Sequence, residues 1–266
     1  MQYKTLRVEA RPPIAWVVMN RPKSLNALNL ELIQELQVAV KDLDRNKDVR
    51  VILLRGEGRG FCAGGDLREL TDRLTSPRPG DAFRELVEEV HGMIRAIWDS
   101  PKPVVAVVHG AAAGAGCSLA LACDFRLAAA GARFQMSFIN IGLVADSGST
   151  YLLSRLIGMG KAMEMALLGE VFEAEDLERY GAVNEVVPEA ELIPRAEKWA
   201  EALGRKSLAA LSRTKQLLQE GWGRDLHGQL DAERDAMMDL EANSADFREG
   251  IRAFLEKRSP RFGNGQ

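Results

Sequence analysis

The sequence predicts an α/β fold that closes on a run of helices, and three observations carry that reading. Short apolar, β-branched runs alternate with amphipathic segments of helical period over the first 188 residues. Two of those runs break abruptly into glycine-rich elbows, VRVILLRGEGRGFCAGGD over residues 49–66 and PVVAVVHGAAAGAGCSLALACD over residues 103–124. From residue 189 onward the pattern is almost entirely helical.

Taken in order, the first elements are strands over residues 6–10 and 15–19, read as a pair. A helix over 29–43 follows, because Leu32, Ile33, Leu36, Val40 and Leu43 recur at helical spacing behind Asn29, a natural cap. A strand over 49–55 leads into the first elbow. Residues 70–81, with TDRLTSPRPGD, carry two prolines and a glycine and are expected to form a mobile surface loop. Leu86, Val90, Ile94 and Ile97 then mark an amphipathic helix that also bears His91. Further strands are expected over 103–108, 125–129 and 183–187. Helices are expected over 190–203, 208–220, 226–240 and 247–256. The shift to helix near residue 200 divides the chain into a core over residues 1–200 and a helical module over 201–266.

Composition narrows the function without fixing it. At 266 residues and 46% hydrophobic the chain can bury a sizeable core as one domain. A net charge of −3 gives no general attraction to nucleic acid or anionic membrane, so a phosphate-bearing ligand must meet local basic groups. Cys62, Cys117 and Cys123 form neither a C-x-x-C pair nor a disulfide pattern, which points to a reducing cytoplasm. The first twenty residues lack a basic start, an apolar stretch and a cleavage site. Residues 103–123 carry no formal charge and approach the length of a membrane span, but VVAVV, the His109–Gly110 break and the Gly/Ala helix make them strand, turn and helix.

The chemistry lies in the elbows. Gly and Ala let the backbone turn sharply and bring N–H groups close to a ligand. In the second elbow a small-residue helix follows at once, so its free N–H groups and positive dipole end point into the same space. Two such donors form an oxyanion hole, in which one N–H contributes about 3–4 kcal/mol to a transition state.

At these residues the chain resembles the enoyl-CoA hydratase/isomerase, or crotonase, superfamily. The likeness spans NRPKSLNAL at 20–28, FCAGGDL at 61–67, HGAAAGAGCSLALACDFRLA at 109–128, IGLVADSG at 141–148 and REGIRAFLEKRSP at 248–260. The resemblance implies a spiral of ββα units, a C-terminal helical module that builds a trimer or a dimer of trimers, and an acyl-CoA substrate whose enolate is held by two backbone N–H groups. By motif position those belong to Ala63 and Ala115. It further implies CoA contacts from Lys23, Leu25 and Ala27, and from Ala63, Gly64, Gly65, Asp66 and Leu67. Phe254 and Lys257 would close over the nucleotide from a neighbouring chain. No separate cofactor is implied, since coenzyme A is part of the substrate.

The family divides by its pocket carboxylates. A hydratase uses two glutamates to hold water, and here those positions are Ser118 and Phe138, neither of which is a strong base near neutral pH. A carboxylate stands instead at Asp146, where the resemblance places the acid/base Asp of double-bond and ring-epoxide isomerases acting on 2-(1,2-epoxy-1,2-dihydrophenyl)acetyl-CoA. One carboxylate suffices to take a proton from one carbon and return it to another. Asp146 before SGST and an apolar run also reads as a helix cap.

Other readings stay open. His91 with Asp146 resembles the base and nucleophile of 4-halobenzoyl-CoA dehalogenases, though Phe138 replaces their Trp, and on its helix His91 also reads as a packing residue. Hydration in the broad sense is another. Some members of the superfamily bind RNA without catalysis, but this chain has no basic stripe. Ser118 reads as a helix-packing serine, Cys62 as a buried small residue, His109 as a bonded elbow residue and His227 as solvated. No cluster has metal-ligand spacing, so no metal is expected.

Overall fold

A strand that is apolar on both faces needs cover on both sides, and this requirement organises the molecule. The computed structural model describes residues 3–263; residues 1–2 and 264–266, at the outer ends of the two expected segments, lie outside it. In chain order the first half contains β1 (Leu6–Arg11), β2 (Ile14–Met19), α1 (Leu30–Arg45), β3 (Val51–Gly56), α2 (Leu67–Leu74), α3 (Pro79–Trp98), β4 (Val104–Val108), β5 (Ala111–Ala113) and α4 (Ala115–Ala122). The second half contains β6 (Phe125–Ala129), β7 (Arg133–Gln135), α5 (Ser149–Leu168), β8 (Val171–Glu173), α6 (Ala174–Tyr180), β9 (Glu185–Val187), α7 (Glu189–Gly204), α8 (Leu208–Gly221), α9 (Leu226–Asn243) and α10 (Ala245–Leu255).

The large sheet has the order β1-β2-β3-β4-β6-β9, antiparallel only between β1 and β2. Side chains alternate across it. Ala15, Val17 and Met19 join a core with Leu32, Leu36, Met93 and Ile97 of α1 and α3. Ile14, Trp16 and Val18 pack instead with Leu192, Ala196 and Ala200 of α7. Helix α7 therefore covers the far face of the sheet.

A second layer makes the spiral. It consists of β5, β7 and β8, extended by parallel bridges from Cys62 to Ala112 and from Leu28 to Gly65. Four times the chain climbs a large-sheet strand, crosses into this layer and continues into helix: β2, Leu28, α1; β3, residues 62–65, α2 and α3; β4, β5, α4; β6, β7, α5. The expected ββα spiral is thus present. Its second-layer pieces are too short to give a period-2 signal, and β5, β7 and β8 have no counterpart among the expected strands.

The loop expected over 70–81 is mostly helix. Asp66 caps α2, its Oδ1 accepting from Arg68 N at 3.0 Å, and Glu69 pairs with Arg73 one turn on at 2.9 Å. Pro79 opens α3, where a missing N–H costs nothing. Only a turn over residues 75–78 separates the helices. The Asn29 cap forms as expected, accepting from Leu32 N at 3.1 Å.

Helix α8 is tied to the core by Lys215, whose Nζ lies 2.9 Å from both Asp124 Oδ2 and Ser100 O. Beyond it, α9 and α10 expose Leu226, Leu230, Met237, Met238, Phe254 and Leu255. Among the described residues no helix is long and apolar enough to cross a membrane.

Candidate active site

Backbone contact between the elbows builds the site. Phe61 N donates to His109 O at 2.9 Å, Cys62 N to Ala111 O at 3.0 Å, and Ala113 N to Cys62 O at 2.9 Å, so the first elbow runs alongside β5. Side chains would hold the two apart. A Cβ on Gly116 would lie 2.3 Å from Cys62 O, and one on Gly64 would lie 2.8 Å from Ala113 O and 3.6 Å from Ala115 N. Gly64 also has φ +97°, which an L side chain rarely adopts.

This packing decides which N–H groups are free, and it corrects one expectation. The Ala63 N–H donates to Leu25 O at 3.0 Å and is not available to a ligand. Leu28 N donates to Gly64 O and Asp66 N to Leu28 O, at 2.7 and 3.0 Å. Peptide groups alternate along an extended chain, so the intervening Gly65 N–H faces away from Leu28, and it has no acceptor among the described residues. Ala115 keeps its expected place as the first residue of α4. Gly114 at the cap offers no side chain to it, and the Ala115 N–H likewise has no acceptor among the described residues. Gly65 and Ala115 thus carry free N–H groups at residues that line one cavity. The missed signal was the alternation itself, since a residue two beyond Ala63 points the same way only if the strand stays regular, and Gly64 at positive φ breaks it.

Both elbows open on a cavity of about 420 Å³, roomy enough for a small acyl group. Helix α3 presents Phe83, Leu86, Val87 and Val90 to it at helical spacing, and Leu70 and Phe138 add to the apolar wall. Two carboxylates line it, Asp66 and Asp146. Asp66 is committed: it caps α2 and binds Arg21 Nη2 at 2.8 Å. Burial alone would push its carboxyl up, but the Arg21 guanidinium and the α2 N–H groups outweigh that and hold it below the usual range.

Asp146 is held from behind. Its carbonyl accepts from Ser149 N at 3.1 Å, from Ser149 Oγ at 2.8 Å and from Ser118 Oγ at 3.1 Å. Its carboxylate does not cap α5, where Gly148 occupies the cap position. Instead Oδ1 lies 2.7 Å from His91 Nε2. Ser147, next along, is a buried non-glycine residue at φ +58°, a conformation kept only where its surroundings impose it. Ser118 packs as expected, and Phe138 lines the cavity. The pairing of His91 with Asp146 could not be read from helical spacing, since the two lie 55 residues apart.

The remaining sites fall into place around this. Leu25 at φ +50° and Asn26 at φ +56° turn the first motif toward the first elbow. Asn26, absent from the expected site, is buried and donates to Gly60 O and Glu57 O at 2.9 Å, while Arg21 reaches the Ala27 carbonyl. Ala27 is buried, Lys23 is exposed, and Ala63, Gly64, Gly65 and Leu67 line the cavity. Phe254, 84% exposed, and Lys257 stand at the end of α10, and neither lines the cavity. Full burial pushes the Cys62 thiol up to about 12, so it is inert. His109 Nε2 lies 2.9 Å from Gly58 O, and His227 is exposed.

Comparison with known proteins matches residues 9–265 to the enoyl-CoA hydratase/isomerase family model. The chain is 40% identical over 246 residues to the 1,2-epoxyphenylacetyl-CoA isomerase of Escherichia coli K12, covering 92% of this chain and 93% of that protein. It is 40% identical over 270 residues to a probable enoyl-CoA hydratase of Rhodobacter capsulatus, covering 98% and 99%. The crystal structure of an enoyl-CoA hydratase from Polaromonas sp. JS666 superposes with a TM-score of 0.91 at 35% identity, covering 97% of this chain and 99% of that one.

Proposed function

The chain belongs to the enoyl-CoA hydratase/isomerase family, and we propose that it is an acyl-CoA isomerase whose acid/base group is Asp146. The observation that carries this is the cavity wall, whose two carboxylates are Asp66, bound to Arg21, and Asp146, which has only Oδ1 tied to His91; by the motif resemblance Ser118 and Phe138 stand at the positions of a hydratase's two glutamates. The N–H groups of Gly65 and Ala115 hold the thioester oxygen. Asp146 Oδ2 takes a proton from the carbon beside the carbonyl, and the C–H electron pair moves onto that oxygen as an enolate. Return of the proton at a different carbon completes the shift with no change in mass.

The apolar wall with Phe83 and Phe138, together with the likeness to the E. coli isomerase, supports a ring-bearing substrate of the 1,2-epoxyphenylacetyl-CoA kind. Lys23, Leu25, Ala27 and Asp66 border the path for the CoA portion, and Phe254 and Lys257 reach it only from a neighbouring copy. The exposed apolar face of α9 and α10 is the surface on which a trimer, or two stacked trimers, assembles. Coenzyme A arrives as part of the substrate and no further cofactor is required. Three free, buried thiols suit a reducing cytoplasm.

Incubation with the ring epoxide of phenylacetyl-CoA, 3-hexenoyl-CoA, crotonyl-CoA and 4-chlorobenzoyl-CoA, followed by mass spectrometry, tests this. A rearranged product of unchanged mass is expected. Gain of water or loss of chloride as the dominant reaction overturns it. Light scattering that finds a monomer at micromolar concentration removes the assembly.

A further inference from the structure

We infer that His91 is a positioning residue for Asp146, tying one carboxylate oxygen so that the other is the single base presented to substrate. The inference rests on the isomerase reading above. His91 Nε2 sits 2.7 Å from Asp146 Oδ1, yet Asp146 lines the cavity and His91 does not. In this proposal His91 acts through Asp146 rather than on the substrate. A carboxylate that works as a base is ionised and has no proton to give, so Nε2 must carry the hydrogen and donate it.

The backbone of Asp146 is already held. Two serine hydroxyls and a backbone N–H converge on its carbonyl, and Ser147 is held at positive φ beside it. What those contacts leave free is the side chain, the carboxylate torsion included. A terminal sp³–sp² torsion is broad, so without a partner the two oxygens interchange and the lone pair facing substrate is set by chance. The imidazole comes from α3, a twenty-residue helix anchored in the core by Met93 and Ile97, so its Nε2 is a fixed point. A base held in this way favours the aligned geometry that proton transfer needs.

The test uses the full-length protein and whichever thioester of the panel it isomerises, and measures kcat and KM for His91→Leu, His91→Gln and Asp146→Asn. His91→Leu should lower kcat by up to about 10²-fold, the scale of loss when a reacting group is misplaced, with KM changed less than about 2-fold. His91→Gln should restore most of kcat, since its amide is also a donor. In an Asp146→Asn background His91→Leu should cost nothing further. In the native protein, ¹⁵N NMR of the imidazole should show hydrogen on Nε2, a readout that survives even if the Leu variant does not fold. An unimpaired Leu variant, a Gln variant as slow as Leu, additive losses, or hydrogen on Nδ1 alone would each overturn the inference. If Asp146→Asn itself stays active, it is the isomerase reading that fails.

Discussion

Replacing Gly64 by alanine should damage stability and catalysis together, by amounts that follow from the elbow contact. Its φ of +97° charges any L side chain about 1–2 kcal/mol. The new Cβ would lie 2.8 Å from Ala113 O, a backbone atom fixed in β5, and overpacking of that kind adds about 1–3 kcal/mol. The total is about 2–5 kcal/mol. Part of the strain is relieved by rotating the Gly64–Gly65 peptide, and that peptide carries the N–H assigned to the thioester oxygen. Loss of one such donor is equivalent to about 10²–10³ in kcat. Gly131→Ala is the control: φ is +75°, but nothing lies within 4 Å of its Cβ, so it carries the torsional cost without the clash and lies outside the site. Urea denaturation followed by circular dichroism gives the stabilities, and steady-state kinetics with calorimetric CoA binding gives the rest. If Gly64→Ala matched the control in stability, the close contact would be wrong. A destabilised variant with full kcat would sink the Gly65 donor.

Further outcomes follow from the same geometry. Asp146→Asn should keep fold and CoA affinity yet lose nearly all isomerisation, and in deuterated water the native enzyme should wash label into the α- or γ-carbon; an active Asn variant contradicts this. Crotonyl-CoA hydration should be weak, so turnover on the order of 10³ s⁻¹, a rate reached by efficient enzymes, would refute the reading of Ser118 and Phe138. Burial pushes the Asp124 carboxyl up while Lys215 pulls it down, and Lys215→Met should cost about 3–5 kcal/mol near neutral pH. That raises the folded-state value further above the unfolded one, so the penalty of ionised Asp124 is full above the folded value and fades as pH falls from the folded value to the unfolded one; denaturation curves showing a cost that grows on acidification would contradict the assignment. The Cys62, Cys117 and Cys123 thiols, pushed up to about 12 by full burial, should ignore a thiol reagent at mildly alkaline pH until urea unfolds the chain.

The parts of the fold that were legible are those whose burial repeats. Leu32, Ile33, Leu36, Val40 and Leu43 face one core, and their spacing alone locates α1. β5, β7 and β8 have three residues each, too few for alternation to register, and their place comes from neighbours far along the chain. The stretch over 70–81 misled because proline and glycine mark both loops and helix starts. At Pro79 it is a helix start, and the Arg73–Glu85 pair, at 3.0 Å, joins α2 to α3 across the turn. At the site, glycine marked both elbows, but the choice between Ala63 and Gly65 turned on where the peptide planes point.

Ser118 shows why the chemistry of such a site changes by small steps. The two N–H groups proposed to hold a thioester oxygen, those of Gly65 and Ala115, are backbone and do not depend on side chains one turn away. Ser118, which the motif resemblance aligns with a water-holding carboxylate of hydratases, has its hydroxyl between the Asp146 carbonyl at 3.1 Å and the Gly114 carbonyl at 3.2 Å and so braces the loop that carries Asp146. Ser118 is fully buried, so a longer acidic side chain there would have to displace that brace or enter the cavity beside Asp146, adding a second negative charge. Two carboxylates in one small cavity raise each other's affinity for protons, which suits a pair sharing a water and hinders a lone base that must stay ionised. A serine there brings no second negative charge beside Asp146, in keeping with the proposal that a single carboxylate does the work.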